Sequence, residues 1–429
     1  PAPQFWTQLP AGSTQPFSFV VFGDWGNTNS NGTNQDEANV MQQVANSGAR
    51  FALTVGDNAY SSGSQTDFGD LIETGPSISS VFGPQFWAGP GRSMPIFPAL
   101  GNHGYASTTS AHPELTNFPQ DQAVALSGGK YARETYCCQN GTVSSSYPSA
   151  WYAFDAGGAR FYVLSAAWAD NNVGSTNMYD NDYDYHWTVS SAEYQWLEND
   201  LKTHPSALKF AFLHFPVYSD NTAQVSDTFL QGSGSLEGLL GRYGVDIAFD
   251  GHAHVYERTE PNGDGLVTYL TGGGGAKLAT VRDCKANDAY ALGWSFASNV
   301  GTACGAAPVP TAPDSVYHFL RVSVDGNSVT VTPTDEMGRT FDVQTYTFGS
   351  GGTADSQAPS APTNLAATAS SATQVNLSWT AATDNVGVTG YDVYRDGTLL
   401  QSLGVATSFS DTTVTASTNY SYTVKAKDA

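Results

Sequence analysis

The chain is poor in positive charge. Of its 429 residues only 17 are Lys or Arg, against 39 Asp or Glu, a formal net charge of −22. A surface of that sign repels phosphate backbones and anionic headgroups, so nucleic-acid polymers and membrane surfaces are excluded as partners. A small anionic ligand would need a local source of positive field, and a cation bound in a cleft supplies one. No apolar run approaches the roughly 20 residues that span a bilayer. Cysteine is scarce as well: Cys137, Cys138, Cys284 and Cys304 allow three connectivities, and no C-x-x-C spacing supports structural zinc. Pairing Cys284 with Cys304 would staple a loop, worth about 3 kcal/mol, and leave Cys137 and Cys138 as a vicinal bridge or as thiols. The first residues have neither the basic nor the apolar region of a leader. With little Lys and much Ser, Thr, Asn and Gly, the expectation is a secreted protein, extracellular or periplasmic, whose leader is gone.

Hydrophobic residues make up 40% of the chain and aromatic residues 12%, enough for sizeable cores. The length suggests two domains. Ser18 to Phe22 is a β-rich run ending at Gly23-Asp-Trp-Gly26, and a helix follows from Gln35 to Asn46 with Val40, Met41 and Val44 on one face. Phe51 to Val55 is the next strand, ending at Gly56-Asp-Asn-Ala-Tyr60. This reads as a βαβ unit, in which both strand ends open on one edge, so Asp24 and Asp57 are expected side by side. Met94 to Leu100 leads to Gly101-Asn-His-Gly104, and residues 105 to 150 read as irregular and polar. Trp151 to Phe154 and Arg160 to Leu164 form a hairpin.

The acidic tract Tyr179 to Trp187 lacks the central Gly and terminal Glu of a calcium loop and is read as a solvated rim. A helix follows from Ser190, capped with Glu193, burying Tyr194, Leu197 and Leu201. Lys209 to Leu213 delivers His214, and a short helix near Leu236 to Gly241 precedes the strand Val245 to Phe249, which delivers His252 and His254. Leu266 to Leu270 ends in the tight turn Gly272 to Gly275. Tyr317 to Val324, Ser328 to Pro333 and Phe341 to Phe348 close the domain as antiparallel strands. Gly349 to Pro362 has linker composition. Beyond it Val375, Leu377 and Trp379 alternate, Asp396-Gly397 makes a hairpin turn, and Tyr420, Tyr422 and Val424 alternate again, which reads as a small antiparallel sandwich.

The strand ends collect the chemistry: Asp24, Asp57 with Tyr60, Asn102 with His103, His214, and His252 with His254. Each alone has a plain structural explanation, but five such segments in one chain are not coincidence. Oxygen donors with imidazoles suit first-row metals, and so many donors suit two ions with Asp57 shared between them. His252 and His254, alternate residues on an extended segment, would face the same way.

In order, GDWG, GDNAY, GNHG, the His214 segment LHFPVYS and GHAHVYER resemble the calcineurin-like metallophosphoesterases, and among them the purple acid phosphatases, over residues 18 to about 275. The Tyr of GDNAY is the mark of the latter. The resemblance implies an α/β fold, an αββα sandwich of two mixed β-sheets flanked by helices. It also implies Fe(III) held by Asp24, Asp57, Tyr60 and His254, and a second divalent metal (Fe, Zn or Mn) held by Asp57, Asn102, His214 and His252. Phosphate monoesters would then be hydrolysed at acid pH by metal-bound hydroxide. The alternatives are a phosphodiesterase or nucleotide pyrophosphatase on the same fold, or a binding or adhesion protein with a vestigial metal site.

His103 would contact phosphate or help protonate the leaving group. Relatives carry further His about nine residues after the ligand matched to His214, where this chain has Ala223-Gln224, and an acid where it has Gly104. Asp220, Tyr218 or water would therefore share the proton with His103. The expected organisation is a metallophosphoesterase domain over 1–348, a linker over 349–362, and a fibronectin type III-like domain over 363–429, resembling the modules appended to secreted bacterial enzymes. That module is a candidate binder of an extracellular polymer or partner.

Overall fold

A computed structural model of the chain describes residues 4–5, 9–27, 34–60, 67, 92–104, 130–137, 143–164, 192–204, 206–232, 234–348, 359–383, 388, 390–404 and 406–427. They fall into two compact units, Pro1–Gly351 and Gly352–Ala429. Cys138, the acidic tract at 179–187, Ser190 and most of the linker lie outside the described residues.

Strands and helices are numbered along the chain. The first unit opens with β1 (Gln4–Phe5), β2 (Phe17–Phe22), α1 (Gln35–Asn46), β3 (Ala52–Thr54), β4 (Arg92–Ser93) and β5 (Ile96–Pro98). It continues with β6 (Lys130–Cys137), β7 (Val143–Ala156), β8 (Ala159–Val163), α2 (Ala192–Thr203), β9 (Leu208–Phe212), α3 (Leu236–Arg242) and β10 (Ile247–Asp250). It closes with β11 (Tyr256–Thr259), β12 (Val267–Thr271), β13 (Asp288–Ser295), β14 (Val300–Gly305), β15 (His318–Asp325), β16 (Ser328–Asp335) and β17 (Gln344–Thr347). Two mixed sheets result: six strands in the order β17-β16-β15-β2-β3-β5, and nine in the order β14-β13-β11-β12-β10-β9-β8-β7-β6.

Alternation along the central strands explains the layers. Phe210 and Phe212 of β9, with Phe161 of β8 and Phe249 of β10, face a core shared with Phe19 and Val21 of β2. Ala211, Tyr162 and Ala248, one residue out of phase, face Leu197 and Leu201 of α2 and Leu236, Leu239 and Leu240 of α3. Both faces of these strands are therefore covered, as parallel strands require. The central layer is largely phenylalanine: Phe19 stacks on Phe51 at 5.6 Å and Phe154 on Phe161 at 4.9 Å. Each such ring contributes about 1.5–3 kcal/mol of burial. Asn34 caps α1 by accepting the Glu37 amide, which sets the helix start, and Val40, Met41 and Val44 are buried.

β2, β3 and β5 run parallel, Val20 opposite Ala52 and Ala52 opposite Ile96, so their C-terminal ends share one edge. β9 and β10 are parallel too, Ile247 opposite Phe210, and deliver His214 and the 252–254 segment from the other sheet. This is the αββα metallophosphoesterase architecture. Three regions differ from expectation. The stretch read as irregular contains β6 and the first half of β7, with Tyr136 opposite Ser145, while the second half of β7 pairs with β8 as the expected hairpin. β11 follows the His254 turn, and β13 pairs with β14, whose Cys304 is bonded to Cys284 in the loop before β13, a pairing the sequence allowed. Among the described residues no helix is long and apolar enough to cross a membrane.

The second unit holds β18 (Thr363–Ser371), β19 (Gln374–Thr380), β20 (Gly390–Arg395), β21 (Thr398–Leu403), β22 (Ser408–Asp411) and β23 (Tyr422–Lys427). They form two three-stranded sheets, β18-β19-β22 and β21-β20-β23, around Leu377, Trp379, Tyr391, Val393 and Val424. Asp396 and Gly397 take φ of 52° and 81°, the left-handed pair a two-residue hairpin needs. This is a small all-β sandwich of fibronectin type III type.

Candidate metal centre

The loops at the strand ends are laced together before any side chain is considered. The Asp24 amide donates to Gly56 O, the Trp25 amide to Asp57 O and the Tyr60 amide to Gly26 O, each at 3.0–3.1 Å. The Gly251 amide donates to His214 O, and the Ala276 amide to Asp24 O. Asn58 ties the first three loops: its Oδ1 accepts from Trp25 Nε1 at 3.0 Å and its Nδ2 donates to Ala99 O at 2.9 Å.

Such close passage leaves no room for side chains at two glycines. A Cβ on Gly101 would overlap the Asp57 amide nitrogen, and one on Gly251 would sit 2.7 Å from Asp24 Oδ2. Asp24, Asp57 and His252 take φ of 54°, 49° and 67°, a region that Asp and His tolerate better than most residues. Strained backbone at three residues of one cluster points toward a site.

Asp24 and Asp57 are 0% and 1% exposed. Tyr60 Oη lies 3.0 Å from Asp57 Oδ2, 3.2 Å from Asp24 Oδ1 and 3.2 Å from His254 Nε2. His254 Nε2 is 3.3 Å from Asp24 Oδ1. On the other side of Asp57, its Oδ1 lies 3.4 Å from His214 Nε2 and accepts the His103 amide at 2.8 Å. Asn102 Oδ1 is 2.8 Å from both His214 Nε2 and His252 Nδ1. Two donor groups result, Asp24–Asp57–His254 and Asp57–His214–His252, and Asp57 belongs to both.

Second partners set the imidazoles. His214 Nδ1–H donates to Val55 O and His254 Nδ1–H to Lys277 O, each at 2.8 Å, which aims both Nε2 atoms at the carboxylates. His214 Nε2 faces Asp57 Oδ1 and Asn102 Oδ1 as well as His252 Nδ1, and His254 Nε2 faces Asp24 Oδ1 and the Tyr60 hydroxyl, so a proton or a cation shared among these groups would relieve the facing acceptors. Separations of 3.0–3.4 Å between donors match those of neighbouring ligands on an ion with bonds of roughly 2.1 Å.

Electrostatics agree with that arrangement. Burial works to lower the His214 pKa, but the Asp57 carboxylate outweighs it and holds the ring up to about 9. Burial works to raise Asp57, and His214 and His103 hold it below the usual carboxylate range. Burial and then the charge on His214 push His252 well down. Burial, Asp57 and Asp24 push the Tyr60 phenol well up, so it keeps its proton until a strong cation displaces it.

The structure thus brings Asp24, Asp57, Tyr60, Asn102, His214, His252 and His254 together. His252 and His254 do so for a reason other than the one expected. The segment is bent rather than extended, with the left-handed His252 between short amide bonds Ala253 N to Gly251 O and Val255 N to Ala253 O. The bend sends one ring to each donor group, where an extended strand would send both to one. His103 stands at the rim with its side chain 37% exposed, Nε2 4.0 Å from Asp57 Oδ2 and its ring 4.4 Å from that of Tyr60.

Asp220 and Tyr218 belong elsewhere. Asp220, 0% exposed, joins Glu257 and Asp288 in a separate acidic cluster, and Tyr218 donates its hydroxyl to Glu237 Oε1 at 2.8 Å. Ala223 and Gln224 both donate amides to Asn221 Oδ1, closing their loop on itself. Asn58 was missed as a brace, although its place inside the GDNAY segment was a signal.

A family model described as calcineurin-like phosphoesterase matches residues 17–256, more than half of the chain. Among solved structures the chain is similar to a purple acid phosphatase from yellow lupin (Lupinus luteus) seeds, with a TM-score of 0.50 and 18% identity over 79% of this chain and 55% of that one, a likeness of fold. Among curated proteins it is 46% identical to chitinase A1 of Niallia circulans over 25% of this chain and 13% of that protein. It is 31% identical to chitinase 63 of Streptomyces plicatus over 45% and 32%. The matches thus span less than a third of these chitinases. The matched family segment contains the strand ends that converge on Asp57, and the chain belongs to the calcineurin-like phosphoesterase family.

Proposed function

We propose that the protein is a secreted acid phosphatase that hydrolyses phosphate monoesters at a dinuclear centre of Fe(III) and a divalent ion. The observation that carries this reading is the position of Tyr60 Oη, within 3.2 Å of Asp24, Asp57 and His254 at once. A phenol in that place is suited to a trivalent ion, and metallophosphoesterases bind divalent metals. When bound, the two ions would acidify water and neutralise phosphate charge.

The protein's own residues do the rest. Asp57 presents Oδ2 toward Tyr60 and Oδ1 toward His214, one oxygen for each donor group. Val55 O and Lys277 O fix the tautomers of His214 and His254. His103, at the exposed rim, is placed to hold a phosphate oxygen or pass a proton to a leaving alcohol. The disulfide is consistent with an oxidising compartment.

A diesterase reading is favoured by one feature, the absence of an imidazole in the self-closed 219–226 loop. Metal analysis with a visible spectrum of the isolated protein, and turnover of p-nitrophenyl phosphate against bis(p-nitrophenyl) phosphate at pH 5, test the proposal. Iron, a visible absorption band and monoester preference are expected; a colourless zinc protein that prefers the diester overturns it. The C-terminal unit, given its chitinase-named relatives, would hold the enzyme at an extracellular polysaccharide. Co-sedimentation with insoluble chitin checks that extension.

A further inference from the structure

Asp220, Glu257 and Asp288 form a second donor group that the proposed phosphatase chemistry does not use. One carboxylate oxygen from each lies within 4.8 Å of the others. Asp220 and Glu257 are 0% and 1% exposed, while Asp288 is half-buried. Both Asp220 oxygens, Glu257 Oε1 and Asp288 Oδ1 are buried with no hydrogen-bond donor. The partners that do exist are on other atoms: the Asp220 amide donates to Glu257 Oε2, and the Lys285 amide donates to Asp288 Oδ2. Four buried acceptors facing one another repel unless something positive lies among them.

The nearest ammonium does not fill the gap. Lys285 Nζ donates to Ser219 O at 2.7 Å and to Ser226 Oγ at 2.9 Å, and its ion pair is with Asp283. With that ammonium already paired with Asp283, the three carboxylates keep an excess of negative charge that a divalent cation would offset. Without such an ion the cluster must hold protons instead. Burial, then Glu257 and Asp288, push Asp220 up to about 9, and burial pushes Glu257 up to about 7.

We propose that Asp220, Glu257 and Asp288 bind a divalent cation of the calcium type, at a site separate from the dinuclear centre. All-oxygen donors with no imidazole select a hard ion over a transition metal, and an irregular trio of carboxylates suits calcium better than strictly octahedral magnesium. Half-buried Asp288 provides the way in. The site also has a structural consequence. Asp220 lies on the segment that follows His214 and Glu257 on β11, just after His254, so the ion would clamp together the two segments that supply three of the imidazoles. The Arg282 and Asp283 amides, which donate to Asp220 O, already hold the covering loop against it.

Equilibrium dialysis of the full-length, disulfide-intact chain against calcium at matched ionic strength tests this. One calcium per chain is expected, retained by Asp57→Asn and by zinc-loaded wild type, and bound at least tenfold more weakly by Asp288→Asn. Glu257→Gln is the second variant should the first fail to fold. The midpoint of thermal unfolding should rise by about 3 °C at saturating calcium in the wild type and not in Asp288→Asn. No binding at millimolar calcium overturns the proposal. So does binding lost in Asp57→Asn yet kept in Asp288→Asn, which puts the ion in the dinuclear centre. Stabilisation by acid alone, with no calcium response, overturns it in favour of carboxyls that share protons. None of these readouts uses turnover, so the failure of the phosphatase proposal would leave this one standing.

Discussion

Asp57 and Asp220 are both buried carboxylates in the same unit, yet their surroundings push them in opposite directions. Asp57 is held down by His214 and His103 against the effect of burial, whereas burial, Glu257 and Asp288 drive Asp220 up. Burial alone therefore decides little. The neighbours decide whether a carboxylate sits ready as an anion or waits for a proton or a hard cation. Imidazoles suit the first to transition metals, and bare carboxylates suit the second to calcium.

The sharpest way to break the comparison is Asp57→Asn. The variant removes the one residue common to both donor groups, and kcat/KM for a phosphate monoester should fall by about 10³-fold or more, roughly 4 kcal/mol, with loss of bound metal. Assay and metal content measured together check it; retained hydrolysis would remove Asp57 from the chemistry. Tyr60→Phe is milder, because Asp24, Asp57 and His254 remain. Turnover should drop by about 10–100-fold, and the visible absorption should vanish. A variant that kept its colour would show that the phenol is not its source.

These residues were legible because each lies at the end of a short apolar run, and a run that becomes a buried parallel strand must release its last residue at the sheet edge. Asp24, Asp57 and His214 follow from that alone. What was not legible depended on partners distant in sequence. Glu257 lies 37 residues from Asp220 and Asp288 lies 31 further on, so nothing near Asp220 announces that its carboxylate turns away from the metal centre. The bend at His252 was hidden because a positive φ on a non-glycine residue leaves no periodic trace. β6 and the first half of β7 were hidden because Lys130–Cys137 alternates too weakly to separate from loop.

Acidity offers a smaller effect on the same contrast. In metal-free protein His214 holds its proton up to about pH 9, above the ordinary histidine value of about 6.5. A group whose folded pKa is raised stabilises fully below the unfolded value and loses that contribution as pH climbs through the folded one. The metal-free protein should therefore lose on the order of 3 kcal/mol between about pH 6.5 and 9. The loaded protein should not, since bound metal replaces that proton. Urea unfolding across this range, with and without metal, separates the two.

The smallest effect is the most discriminating, because the same substitution should act with opposite sign at the two carboxylates. In metal-free, calcium-free buffer at pH 8, Asp57→Asn removes the carboxylate that holds the His214 proton against burial, and the loss of that ion pair destabilises the fold. Asp220→Asn instead replaces a carboxyl that must take up a proton to be buried beside Glu257 and Asp288, and its amide can donate to acceptors that have no donor. A gain of about 1 kcal/mol is expected. Because the raised pKa of Asp220 stabilises the wild type at acid pH and that contribution is lost steadily as pH rises toward about 9, the gain should shrink toward pH 5, where the proton that the native carboxyl takes up on folding costs less. Urea midpoints of the two variants at pH 5 and pH 8 measure this. Equal loss for both would mean that Asp220, like Asp57, is needed as an anion, and that a positive partner for it is already built into the fold.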